Sequence, residues 1–250
     1  MDKLRISTMT AIAELNTAID HDNLYKIIEP SKDILYMEYG GNPPKGESSK
    51  KARKPRKNAK RKMFFNQVTL HIFHKKVVNV KLFNNGKIQM TGLKYVEQGE
   101  EVIRKLLDII QGLQKDDYPV FASGDIAYSN YQIVLINSDF DIFYQVNREV
   151  LHREIVKAGM YSSYESCIYP GVNIKYFFNT NQSDGICCCD AMCTGKGTAD
   201  GDGQCKKITV AVFKSGKIII TGAKTTAQLV ISHDFIKDFI DKKRVIIELK

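Results

Sequence analysis

Five of the six cysteines lie in one short run, ICCCDAMCTGKGTADGDGQC, which ends at Cys205. A thiolate is a soft ligand, and four of them around Zn²⁺ make a closed tetrahedral site. Cys189 and Cys193 stand four residues apart, and Cys205 follows after a glycine-rich stretch. With Cys187 (Cys188 is the alternative) they complete a set of four, so the expected metal ligands are Cys187, Cys189, Cys193 and Cys205. A structural zinc would explain how so glycine-rich a loop keeps one shape, and reduced free thiols are the other reading. The first residues, MDKLRISTMTAIAEL, contain no uninterrupted apolar run, so a secretory signal and a disulfide framework are not expected.

A second chemical feature is charge. From Pro43 to Lys62 the sequence PPKGESSKKARKPRKNAKRK carries ten Lys/Arg and one Glu. The formal net charge is +9, and outside this tract 27 basic residues balance 27 acidic ones. The whole excess therefore sits on one insertion, suited to phosphates through release of their counterions. A content of 43% hydrophobic and 26% charged residues predicts a folded chain, and no apolar run is long enough for a membrane helix. The sequence has no HExxH, P-loop or GxSxG motif, and its acidic residues do not cluster at metal spacing. No enzyme is expected.

The elements that must position these features are built twice. VKLFNNGKIQMTGLK, Val80 to Lys94, returns as VAVFKSGKIIITGAK, Val210 to Lys224, with eight of fifteen positions identical at an offset of 130. In the first copy, Phe65 to Phe73 and Val77 to Phe83 read as a hairpin, Asn85-Gly86 as a turn, and Ile88 to Thr91 as the returning strand. The period then changes to 3.6, and Ile103, Leu106, Leu107, Ile110 and Leu113 mark one face of a helix. In the second copy Tyr169 to Phe178, Ile208 to Phe213 and Ile218 to Thr221 are the strands, and a helix starts near Thr225. Each copy opens with a strand and a short helix: Leu4 to Met9 then Asp20 to Ile28, and Gln132 to Asn137 then Asn147 to Ala158. Asp20 and Asn147 are the predicted N-caps and Gly159 the C-cap.

An antiparallel sheet with helices on one side leaves its other face open. Alternation puts Val78, Val80 and Leu82 under the helices and Asn79, Lys81 and Phe83 on the open face. Phe213 takes the place of Phe83 in the second copy, and Phe65 lies diagonally across from Phe83. Exposed aromatic pairs at matched places on a sheet normally have a partner.

These residues carry a resemblance. The doubled FxxGKxxxTGxK hairpin, the segment YSSYESCIYPG from Tyr161 to Gly171, and Ile6-Ser7-Thr8 resemble the TATA-box-binding protein (TBP) family. The resemblance covers nearly the whole chain outside two insertions. It implies an α+β fold: a saddle of two pseudo-symmetric repeats forming a curved antiparallel sheet, with helices on the convex face. The repeats would be residues 1–125, with the basic insertion at about 40–62, and 126–250, with the cysteine-rich insertion at about 180–205. Lysine-, isoleucine- and asparagine-rich usage fits a divergent member, of the kind expected from a large DNA virus.

The resemblance also implies roles. TATA-box-binding proteins are themselves the general example of aromatic wedges driven between base steps. The matching rings are Phe65 with Phe83 and Tyr169 with Phe213. Thr91 and Thr221 match threonines that face base edges, and Ile6 and Ile219 match apolar groove positions. Lys87, Lys94, Lys217 and Lys224 match lysines on phosphates, and His71 and Lys175 stand where the family carries arginine. The sequence also departs from the pattern: ungapped alignment puts Leu4 and Leu135 at the family's groove asparagines. Asn137 would serve only if its strand slipped by two residues. Gln89 and Lys81 replace apolar groove residues.

The function so implied is binding and bending of double-stranded DNA in an A·T-rich minor groove, as a promoter-recognition factor in transcription initiation. The alternative is an architectural or virion DNA-binding protein that keeps the saddle without TATA specificity. General transcription factors and the RNA polymerase machinery are the implied partners, with no membrane and no required cofactor. The chain would act as a monomer on DNA, in the nucleus or, if viral, in a cytoplasmic viral factory or virion.

Overall fold

The strict alternation of VVNVKLF becomes a strand with one dry face. Val78, Val80 and Leu82 are buried, while Asn79, Lys81 and Phe83 on the other side stay partly open. The computed structural model describes residues 3–48, 64–113, 117–122, 124–182 and 184–249. The run from 49 to 63, which holds most of the basic insertion, lies outside the described residues. In chain order the elements are β1 (Arg5–Leu15), α1 (His21–Ile27), β2 (Ile34–Tyr39), β3 (Lys45–Gly46), β4 (Gln67–His74), β5 (Lys76–Phe83), β6 (Lys87–Leu93) and α2 (Gln98–Leu113). Then follow β7 (Tyr128–Asp141), α3 (Arg148–Lys157), β8 (Tyr161–Ser163), β9 (Val172–Phe178), β10 (Lys206–Val212), β11 (Lys217–Ala223) and α4 (Thr226–Ile247).

The chain divides into two compact units, Met9–Val134 and Met1–Thr8 with Leu135–Lys250. In the first the strands run antiparallel in the order β3-β2-β4-β5-β6-β1, and in the second β7-β11-β10-β9-β8. Helix α2 lays Val102, Ile103, Leu106 and Ile110 on β4 and β6, and α4 lays Leu229, Ile236 and Ile240 on β9 and β11. This is the expected α+β arrangement. The expected N-caps also form: Asp20 accepts from the Asn23 amide at 2.8 Å and Asn147 from Val150 at 3.2 Å, and α4 adds a third, Thr225, accepting from Gln228 at 3.1 Å. Gly159 stands at φ +80° just past the end of α3.

The glycines of the repeated motif are explained by its turn and its bulge. Gly86 and Gly216 close the hairpin turns at φ +84° and +86°, where a Cβ would lie 2.5 Å from the Thr17 carbonyl oxygen or 2.4 Å from that of Tyr144. Gly92 and Gly222 are skipped in the pairing, which passes from Thr91 to Leu93 and from Thr221 to Ala223. Each is a bulge that turns its strand, and φ of +101° and +107° suits glycine.

Three strands go beyond the sequence reading. β2 was hidden because its register shifts between Ile34 and Tyr36, so neighbours Tyr36 and Met37 are both buried and the period is lost. β3 and β8 are too short to show a period. Lys45, counted with the basic insertion, belongs to the folded part: its ammonium donates to the carbonyls of Tyr25 (2.7 Å) and Ile28 (2.9 Å) and to Glu29 (2.6 Å). It thereby caps the C-terminal end of α1. Among the described residues no helix is long and apolar enough to cross a membrane.

Candidate nucleic-acid interface

On each unit the face away from the helices presents rings at the ends of strands. Phe83 and Phe213 occupy the same place, each accepting at its carbonyl the amide of the turn glycine, Gly86 or Gly216, at 3.0 Å. Tyr169 is 40% exposed, and its ring centroid lies 5.8 Å from that of Phe213, so the expected pair is in contact. Both rings lie over Gly171, where a Cβ would stand 3.0 and 3.3 Å from them. Phe65 is 65% exposed and rests against Gly40, two residues before Gln67, the strand partner of Phe83. The sequence did not single out Phe143, which is 75% exposed at φ +60° just after β7, its amide held by the Asp141 carboxylate at 2.7 Å. It lines, with Arg5, Ser7, Asp139, Phe213 and Lys217, an open depression of about 970 Å³.

Pairing fixes the centre of the face. Thr91 lies between Asn79 and Thr10, and Thr221 between Thr209 and Asn137. Asn137 is thus the counterpart of Thr10, and the ungapped offset of 130 does not hold for the opening strands. Leu135 then matches Thr8, not Leu4, which corrects the expected asparagine position. The Thr221 hydroxyl donates to the Asn137 side-chain oxygen, which leaves the amide N–H groups as the outward donors. Ile219 is 38% exposed opposite Asp139, and Gln89 pairs across from Ile12 and Lys81.

Ile6 is half-buried near the start of β1, between Arg5 and Ser7, which both donate to Asp139 on the open face, Arg5 at 2.7 Å. Burial works against the charge on Asp139, but the hydrogen bonds from Ser7 and Arg5 outweigh it and hold the carboxyl below its usual range.

His71 is the second correction. It is 2% exposed and packs on Tyr36 at 4.9 Å between centroids, so it offers nothing to a phosphate. The lysines are more accessible. Lys87, Lys217 and Lys224 are exposed, with Lys87 3.7 Å from Glu14. Lys94 and Lys224 are held alike, each backbone amide donating to a buried glutamine, Gln98 at 2.7 Å and Gln228 at 2.9 Å. Lys175 bonds Asn173 at 2.9 Å and Thr209 at 3.0 Å, and its ammonium is lowered by burial and then by Lys207. Lys206 is lowered by burial, then by Lys224 and Lys207. Lysines that oppose one another's charge leave a positive field at this end of the second unit.

The four cysteines chosen from the sequence come together: the Cys187, Cys189, Cys193 and Cys205 sulfurs all lie within 4.8 Å of one another. Burial and then the neighbouring Cys189 thiol push the Cys205 thiol up to about 12.

Residues 145–242, from just before α3 into α4, match the family described as "Transcription factor TFIID (or TATA-binding protein, TBP)". Over 257 aligned residues the chain is 30% identical to a "TATA-box-binding protein-like" protein of Acanthamoeba polyphaga mimivirus, covering 96% of this chain and 65% of that one. Across nearly its whole length the chain is similar to a TBP-like protein. The sequence is also 29% identical over 144 residues to a Tetrahymena thermophila TATA-box-binding protein, covering 58% of this chain and 43% of that protein. It therefore spans less than two thirds of the length of these curated relatives. The solved structure of Methanococcus jannaschii TBP matches with a TM-score of 0.56 at 18% identity, covering 98% of this chain and 99% of that one. The TBP-like fold read from the repeated hairpin is thus the fold observed.

Proposed function

We propose that this protein binds double-stranded DNA in an A·T-rich minor groove, bends it, and serves as a promoter-recognition factor in transcription initiation, with general transcription factors and the RNA polymerase machinery as partners. The observation that carries this reading is the matched placement of Phe83 and Phe213 on the helix-free face of each unit, with the Tyr169 ring tilted against that of Phe213. A flat ring entering a base step replaces lost base stacking with its own face, which a lysine at the rim cannot do. The positive field around Lys175, Lys206, Lys207 and Lys224 suits a polyanion. At the centre, the amide of Asn137 donates where adenine N3 and thymine O2 accept, and guanine's amino group would obstruct it. The names of the mimivirus and Tetrahymena relatives refer to a TATA box, which agrees with that preference.

A second reading is favoured by one observation. Asp139, Gln89 and Lys81 put polar or charged groups on the central face, where a close apolar fit would read the groove. An architectural DNA-binding protein, relying on DNA deformability, tolerates them. Selection of bound duplexes from a random pool decides: an A·T-rich consensus supports promoter recognition, and bound DNA without a consensus supports the architectural role. No retention of DNA refutes both.

A further inference from the structure

We infer that Cys187, Cys189, Cys193 and Cys205 bind one structural Zn²⁺, and that this ion holds the long β9–β10 excursion against the open face of the second unit. The first ground is the size of the cage. Zinc–thiolate bonds of about 2.3 Å place tetrahedral sulfurs about 3.8 Å apart. Cys205 lies 3.4 Å from Cys189 and 3.9 Å from Cys187, which brackets that edge. These four are free thiols, and a disulfide would need its sulfurs at about 2.05 Å.

The second ground is the shell around the sulfurs. The backbone N–H of Cys189 faces the Cys187 sulfur, and that of Gly195 faces the Cys193 sulfur, each two residues on from its cysteine. The Asn179 amide reaches Cys205 at 3.6 Å. Such outer bonds orient metal ligands. Four protein ligands leave no open position, so the site is structural and not catalytic.

The third ground is what the excursion lacks. Between Phe178 and Lys206 the chain carries glycines at 185, 195, 197, 201 and 203, and its described apolar burial amounts to little beyond Ala199 and Cys205. Ordering a residue costs roughly 1–2 kcal/mol of backbone entropy, and metal binding supplies folding energy where a core is missing. The parts of the loop converge on the cage. Asp202 accepts the amides of Asp190 and Ala191 at 2.8 and 2.9 Å, between two of the ligands. Gly195, at φ +70°, accepts the Lys207 amide at 2.8 Å, and a Cβ there would lie 2.6 Å from Lys207 and 3.2 Å from the Phe177 ring. Cage and open face thus share a wall. Soft sulfur ligands alone in a tetrahedron select zinc over magnesium or calcium.

The test uses the full chain, purified reduced and without chelator, then given zinc in the presence of a competing chelator. About one zinc per chain is expected by elemental analysis, and a cobalt-substituted sample should show the visible bands of a tetrahedral thiolate site. Cys193→Ser should lose most of the metal, whereas Cys188→Ser and Cys167→Ser, both at exposed cysteines, should keep it. The wild-type cobalt spectrum needs no variant, so misfolding of a serine variant cannot mask the answer. Clearly substoichiometric zinc, iron as the retained metal, an octahedral cobalt spectrum, or equal loss in Cys188→Ser overturns the inference. Metal content is read without DNA, so this result stands apart from the proposed DNA binding.

Discussion

Replacing Phe83 and Phe213 together by alanine removes one ring from the open face of each unit. Neither ring is fully buried, so the folding loss should stay near 2 kcal/mol each, below the ~3–5 kcal/mol of a core Phe→Ala change. Phe213 also gives up its packing on Tyr169, worth about 0.5–1.5 kcal/mol of that loss. The binding loss has another source. A ring stacked on a base contributes ~1–3 kcal/mol, so each truncation should weaken DNA binding by about 5- to 150-fold. The bend should fall as well, because unstacking a step costs a few kcal/mol and Phe65 and Tyr169 would each meet that cost without a partner ring.

Energy transfer between dyes at the ends of a short duplex reads the bend, titration by anisotropy reads affinity, and thermal melting reads stability. Phe178→Ala is the control. That ring lies on the helix-covered side of β9, so its loss should cost ~3–5 kcal/mol of stability and leave the bend of the folded fraction unchanged. Parental bending by the double variant would refute the wedge argument. A stability loss per ring as large as that of Phe178→Ala would refute the assignment of the faces.

Three further outcomes are expected. Deleting residues 50–62 removes nine basic side chains and should flatten the slope of log K against log salt, by about 0.9 for each phosphate no longer neutralised, while sequence preference stays the same; an unchanged slope means the tract does not touch DNA. Lys45→Met should leave that slope alone but lower the melting temperature through ~1.5–3 kcal/mol of lost charged hydrogen bonding at the end of α1, and a shifted slope with parental melting would contradict its capping role. Asp139→Asn takes a carboxylate off the open face, and at low salt DNA should bind about fivefold tighter, an effect that fades as salt rises; weaker binding would show that Asp139 aims Arg5 at the DNA.

Much of the fold was legible because it was written twice. The turn and bulge glycines, 86 and 92 with 216 and 222, repeat since no other residue suits those backbone angles. The helices carried a plain 3.6 period and recognisable caps. β2 was missed because a register shift destroys the alternation by which a half-buried strand is read. The site was half legible. The ring positions followed from residue types at matched places in the two copies, and the four-cysteine set from the crowding of thiols in one loop. The burial of His71 and the true counterpart of Asn137 depend on which strand lies alongside, which no single segment encodes. Phe143 has no motif at all, being placed by a left-handed turn.

The division of the chain has a consequence for its synthesis. Residues before Met9 belong to the unit built from Leu135 onward, and Arg5 is 134 positions from its partner Asp139. At about 5–20 residues per second, a ribosome takes roughly 7–27 s to supply that partner after Arg5 is made. Throughout that interval Met9–Val134 can fold while the preceding segment has no strand of its own chain to join. On a polysome it can meet the finished Leu135–Lys250 portion of a neighbouring chain instead. Exchange of that segment is therefore the misassembly to which this topology is most open, and crowded translation is where it would first be seen.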